Sequence, residues 1–138
     1  MTAPTATPPA PSASPAPYRT LKVWQKGIEL AVEARRLAKL LPRDERDHLA
    51  ARLVDAALAV PAKIAFGQGA GDRTLHLDGL AAARDALSRV EALLEMILRL
   101  EYVQESDTAH ASDLCNQIRP MLVGLIKKVG SSGKPEVN

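Results

Sequence analysis

Arg35, Arg36, Lys39, Arg43 and Arg46 are the densest group of cations in the chain. Side chains three and four residues apart share a helix face, so such a group presents phosphate with concentrated charge and the forked donors of guanidinium. From Arg19 to Arg46 eight Lys or Arg stand against four acids, a balance of +4. From Asp72 to Asp107 four stand against eight, a balance of −4, although the formal charge of the whole chain is only +2. One reading is a phosphate-holding surface on the first helix and the turn after it. The other is a solvated face whose cations pair with Glu29, Glu33 and Glu45, with basic and acidic segments attracting one another within or between subunits.

Other chemistries find little support. A nucleophilic Cys115 would need a nearby histidine, and His110, five residues away, falls off its helical face; inert packing is expected instead. His48, His76 and His110 are scattered, without the paired spacing of a zinc site or the Glu-x-x-His repeat of di-iron bundles, so neither metal nor cofactor is expected. Glu91, Glu95, Glu101 and Glu105 interleave with Arg84, Arg89 and Arg99, which reads as charge pairing along a helix, not an acid-base pair. The run Gly67-Gln68-Gly69-Ala70-Gly71 lacks the preceding strand that a dinucleotide loop requires and reads as an interhelical turn. No catalytic residue is assigned, and a non-enzyme is expected. Trp24, the sole tryptophan, suits a core position or a base-stacking platform; Phe66 suits a partner anchor or a cover for the bundle end.

Four periodic segments must position these residues. The first, about Thr20 to Leu41, repeats Leu21, Trp24, Ile28, Ala31, Ala34, Leu37 and Leu41 at spacings of three and four and stops at Pro42. The second starts near Asp44 or Glu45 and runs through Leu49, Leu53, Ala56, Val60 and Ile64 to a stop at Gly67. Inside it Pro61 predicts a kink or the start of a separate short helix. The third, about Asp72 to Val103, carries Leu80, Ala83, Leu87, Val90, Leu94 and Ile97 in heptad spacing. The fourth, from about Thr108 or Ser112 to Val129, uses Leu114, Ile118, Leu122, Leu125 and Val129, with a bend predicted at Pro120 and an end at Gly130.

With aromatics at 3% and no alternating run between hairpin turns, nothing predicts a strand. The expectation is an all-α, antiparallel up-down-up-down four-helix bundle over residues 18–130. Residues 1–17 hold six of the ten prolines and no charge, a composition that cannot offset the entropy of ordering and predicts a disordered Pro/Ala-rich tail. Residues 131–138 predict a frayed C-terminal tail. A chain of 138 residues fits one domain that buries about two-thirds of its unfolded surface. The N-terminal segment lacks the basic start and apolar stretch of a signal peptide, no segment reaches membrane-spanning length, and one cysteine fits a reducing compartment; a soluble cytoplasmic protein is expected.

Several motifs occur in a recognisable order. They are Leu21-Lys22-Val23-Trp24-Gln25-Lys26; Leu41-Pro42-Arg43-Asp44-Glu45-Arg46 with Leu49; Pro61 with Ile64-Ala65 and Gly67; Ala83-Arg84 with Leu87 and Glu91; and Met121-Leu122-Val123-Gly124-Leu125-Ile126-Lys127. Over about Tyr18 to Val129 the chain resembles the bacterial four-helix-bundle proteins first recognised in intervening sequences of 23S ribosomal RNA genes. The resemblance implies a left-handed bundle that assembles into a ring-like homopentamer without enzymatic activity. By fold it is also similar to the accessory variability protein of diversity-generating retroelements, a pentamer that binds a reverse transcriptase and its RNA.

Against the family pattern, Val54 and Asp55 replace a pair of arginines, and Lys63-Ile64-Ala65-Phe66-Gly67 replaces Asn-Ile-Ala-Glu-Gly. The arginine usual after the glycine turn is displaced, leaving Arg73 nearest. The candidate nucleic-acid-binding residues are therefore Arg35, Arg36, Lys39, Arg43, Arg46, Lys63 and Arg73. Two functions are expected. One is an oligomeric accessory protein that gathers basic faces to hold RNA or DNA. The alternative is a protein-only scaffold for a partner such as a reverse transcriptase or polymerase.

Overall fold

A computed structural model describes residues 17–132, and the expectations for the proline-rich tail and for residues 133–138 lie outside the described residues. Four helices follow a short 3-10 turn, Pro17–Thr20: α1 (Lys22–Ala38), α2 (Ala51–Gly69), α3 (Arg73–Arg99) and α4 (Glu105–Ser132). Among the described residues there is no strand. Each helix packs on its neighbours in the order α1–α2–α3–α4, and α4 closes back on α1. The contacts run antiparallel throughout. Gly27 early in α1 faces Pro61 late in α2, Gly67 late in α2 faces Gly79 early in α3, and Arg36 late in α1 reaches Asp107 early in α4.

The core consists of rows spaced by three and four residues. Leu30 and Leu37 of α1, Leu53 and Ile64 of α2, Leu80, Leu87 and Ile97 of α3, and Leu114, Ile118 and Leu122 of α4 are fully buried. Each such side chain stabilises the fold by about 1.5–3 kcal/mol relative to exposure. The α3 row is the one the periodicity predicts, and on α4 Leu114, Ile118 and Leu122 follow it while Leu125 and Val129 are only partly buried. On α1 the inward row is instead Val23, Gly27, Leu30, Ala34 and Leu37, while Leu21, Trp24 and Ala31 are only partly buried. A helix that touches two neighbours needs a broad apolar face, and the period alone does not say which edge of that face lies deepest.

The corner between α1 and α2 departs from a simple helix start. A 3-10 turn at Arg43–Glu45 leads into a π turn at Arg46–Ala50 before α2 begins. Pro61 starts no new helix; α2 runs through it, and the ring packs against Gly27, where an added Cβ would lie 3.3 Å from it. Nor does Gly67 end α2, which continues to Gly69. Gly67 is buried because α3 approaches closest there: a Cβ on Gly79 would lie 2.7 Å from both Gly67 Cα and the Lys63 carbonyl oxygen. Gly71, at φ 72°, makes the turn itself, and Asp72 caps α3 by accepting from Thr74 N at 2.8 Å and Leu75 N at 3.2 Å.

At its far end α3 closes with a Schellman pair, Glu101 N to Leu98 O and Tyr102 N to Ile97 O, both near 3 Å at 2.9 and 3.0 Å. Glu101 supplies the required left-handed residue at φ 63°. The fourth helix starts earlier than its apolar pattern predicts, because Asp107 accepts from Gln104 N at 2.8 Å and extends the helix into a polar first turn. It also continues through Pro120 and past Gly130 to Ser132, so residues 131 and 132 are helical and not frayed.

Candidate nucleic-acid interface

The end of α1, Pro42 and the two unusual turns enclose an open cleft of about 640 Å³. Arg35, Lys39, Arg43 and Arg46 line it, over a floor that includes Leu41, Pro42, Ala50 and Val54. Local geometry brings them together. Arg35 and Lys39 are one α-helical turn apart, and Arg43 to Arg46 is the three-residue period of a 3-10 turn. The wider π turn then carries Ala50 round to the same side as Arg46.

Two acids of the neighbourhood, Glu33 and Glu45, are held elsewhere. Glu33 takes the Arg36 guanidinium, whose Nε donates at 2.9 Å, and Arg36 also donates to the Asp107 carbonyl oxygen at 2.8 Å. The Arg36 pKa is raised, chiefly by the Glu33 hydrogen bond. Glu45 lies between Arg43 and Arg46 in sequence, but its carboxylate accepts from the Tyr102 hydroxyl at 2.8 Å and caps Leu49 N at 3.5 Å. Lys26 meets Glu29 at 3.9 Å. Arg35, Lys39, Arg43 and Arg46 form no ion pair among the described residues, and no acid lines the cleft. The pairing expected for a solvated face is thus met only by Lys26 and Arg36.

The remaining candidates are not part of this cleft. Lys63 is exposed on α2, about 18 Å along the axis from Ala51 at the usual rise per residue. Arg73 lies at the opposite end of the bundle, donating to the Gly130 carbonyl oxygen at 3.2 Å. The glycine turn beside it is no phosphate loop, since the Asp72 carboxylate already occupies the α3 N-terminal amides. Of the adjacent Val54 and Asp55, Val54 lines the basic cleft, whereas Asp55 faces a separate α2–α3 groove with Arg52 and Arg89.

Burial pushes the Cys115 thiol up to about 12, with Glu91 adding to the rise and Arg119 opposing it. Glu91 itself pairs with Arg119 across α3 and α4, and Glu95 pairs with Arg99 at 2.9 Å. Among the described residues no three His, Cys, Asp or Glu side chains converge as a metal site. Nor is any helix among them long and apolar enough to cross a membrane. Trp24 is half-buried and tilts against Tyr18 with ring centroids 5.2 Å apart, while Phe66 is 58% exposed. Sequence reasoning missed Tyr102, whose role is set by a partner 57 positions away with no local signal.

A family model described as 23S rRNA-intervening sequence protein matches residues 19–124. Among solved structures, the chain is similar to a protein with unknown function from the S23 ribosomal protein family of Bacteroides thetaiotaomicron. The two share 23% identity over 76% of this chain and 95% of that one, with a TM-score of 0.70, a likeness that bears on fold alone. No curated protein matches the sequence.

Proposed function

Because the chain belongs to the 23S rRNA-intervening sequence protein family, we propose that it is a non-enzymatic, oligomeric accessory protein of the cytoplasm that holds RNA on the α1–α2 corner. The observation that carries this reading is the cleft with four cations that form no ion pair among the described residues. Exposed guanidinium and ammonium groups without an acid partner are free to neutralise phosphate, and an assembly such as a homopentamer multiplies modest contacts. Salt-dependent binding is the signature, because each neutralised phosphate releases a counterion. A filter-binding titration with structured RNA at low salt should give saturable retention that falls steeply as KCl rises. No retention at about 50 µM protein would remove the reading.

A protein-only scaffold, presenting its surface to a partner such as a reverse transcriptase or polymerase, is favoured by a different observation. Leu58 and Phe66 on α2 are 53% and 58% exposed, and Met96 on α3 is 49% exposed. Exposed large apolar side chains fit an assembly face. Light scattering at micromolar concentration tests the assembly on which both readings rest, and a single-subunit mass would count against them.

A further inference from the structure

Apart from its four cations, the α1–α2 cleft is lined only by alanine, leucine, valine and proline side chains. It contains no aromatic ring, no amide or hydroxyl side chain and no carboxylate. Bases are told apart by hydrogen bonds to their edges and by stacking on aromatic rings, and RNA is told from DNA through its 2′-hydroxyl. The aromatic residues that could stack lie elsewhere. Tyr18 and Trp24 pair at the start of α1, Phe66 is near the end of α2, and the Tyr102 hydroxyl is taken by Glu45. The donors that remain match the non-bridging oxygens of a phosphodiester and, among base edges, only the paired acceptors of guanine, and the apolar floor adds no base selectivity.

Resting on the reading that the protein binds nucleic acid, we propose that this cleft recognises the phosphodiester backbone, holding a strand without discriminating adenine from uracil or ribose from deoxyribose. Four cations per subunit set the charge term. With about 0.7 counterions released per phosphate of a single strand, log K falls with log salt at a slope no steeper than about −3 per cleft. Any preference of the protein between adenine and uracil would then have to arise outside this cleft.

The test is fluorescence anisotropy of the full chain with labelled oligonucleotides of equal length, oligo-rU, oligo-rA and oligo-dA, across a KCl series. The expected result is equal affinity within about twofold for all three, with displacement by inorganic polyphosphate. Arg43→Ala and Arg46→Ala should each flatten the salt slope by about 0.7, and Val54→Arg, which adds a cation to the lining, should steepen it by a similar amount. Arg89→Ala, remote from the cleft, should leave the slope unchanged, with circular dichroism checking that every variant is folded. A tenfold preference for one base, or for rA over dA, overturns backbone-only recognition. Slopes unchanged in the cleft variants overturn the cleft as the site while binding itself stands. If folded protein binds none of the three strands, this inference and the accessory-protein reading fall together.

Discussion

The Tyr102 hydroxyl donates a 2.8 Å hydrogen bond to Glu45 Oε2, joining the turn after α3 to the corner between α1 and α2. One bond thereby ties two loops at the same end of the bundle and draws a carboxylate away from Arg43, two positions before it, and Arg46, the residue after it. The arrangement leaves a basic cleft in a corner that also contains Asp44, Glu45 and Asp47.

That bond should be visible in a pH titration. The Tyr102 phenol is raised from its ordinary value of 10.0, first by the Glu45 hydrogen bond, then by burial and the charges of Glu45 and Asp44. The fold favours the neutral phenol, so its stabilisation is complete below the ordinary value and is lost as pH climbs through the raised one. Ultraviolet absorbance should therefore record a late tyrosinate phase that Tyr102→Phe removes and Glu45→Gln moves to lower pH. Persistence of that phase in Tyr102→Phe would refute the assignment.

Gly79→Ala should destabilise the protein by about 1–3 kcal/mol, because the new methyl meets backbone atoms of α2 and the helices must separate. Gly69→Ala is the control: nothing lies within 4 Å of a Cβ there, and helix propensity makes it neutral or slightly stabilising. Urea midpoints of the two variants should move apart. This contact also explains an error of sequence reading. Gly67 resembles a helix stop, but its lack of a side chain serves interhelical approach, and a lone glycine does not say which of the two it serves.

Glu101→Gly should stabilise by about 0.5–1 kcal/mol, since Glu101 closes the α3 Schellman pair at φ 63° where a Cβ is strained. A rise in urea midpoint without a change in m-value is the expected result.

Cys115 should resist thiol reagents in the folded protein at pH 8. With its pKa pushed up to about 12 by burial, only about one thiol in ten thousand is ionised there. Reaction with a disulfide reagent should proceed at the rate of unfolding and accelerate in urea; immediate stoichiometric labelling would contradict the buried placement.

What the sequence determined by itself is what depends on residues close together along the chain. The period of Leu80, Leu87 and Val90, the helix start near Asp72 and the glycine turn before it are local, so four helices and their antiparallel bundle were legible before any coordinates. The clustering of Arg35 and Lys39 with Arg43 and Arg46 was equally legible, because all four lie within twelve consecutive residues. The tertiary structure alone decided which cations share a cleft and which do not. It set Lys63 and Arg73 apart from that cleft, brought Arg36 to the Asp107 carbonyl oxygen, and turned Glu45 toward Tyr102. Those outcomes depend on which helix ends meet, and pairings between distant positions are set by packing, on which local propensity has no bearing.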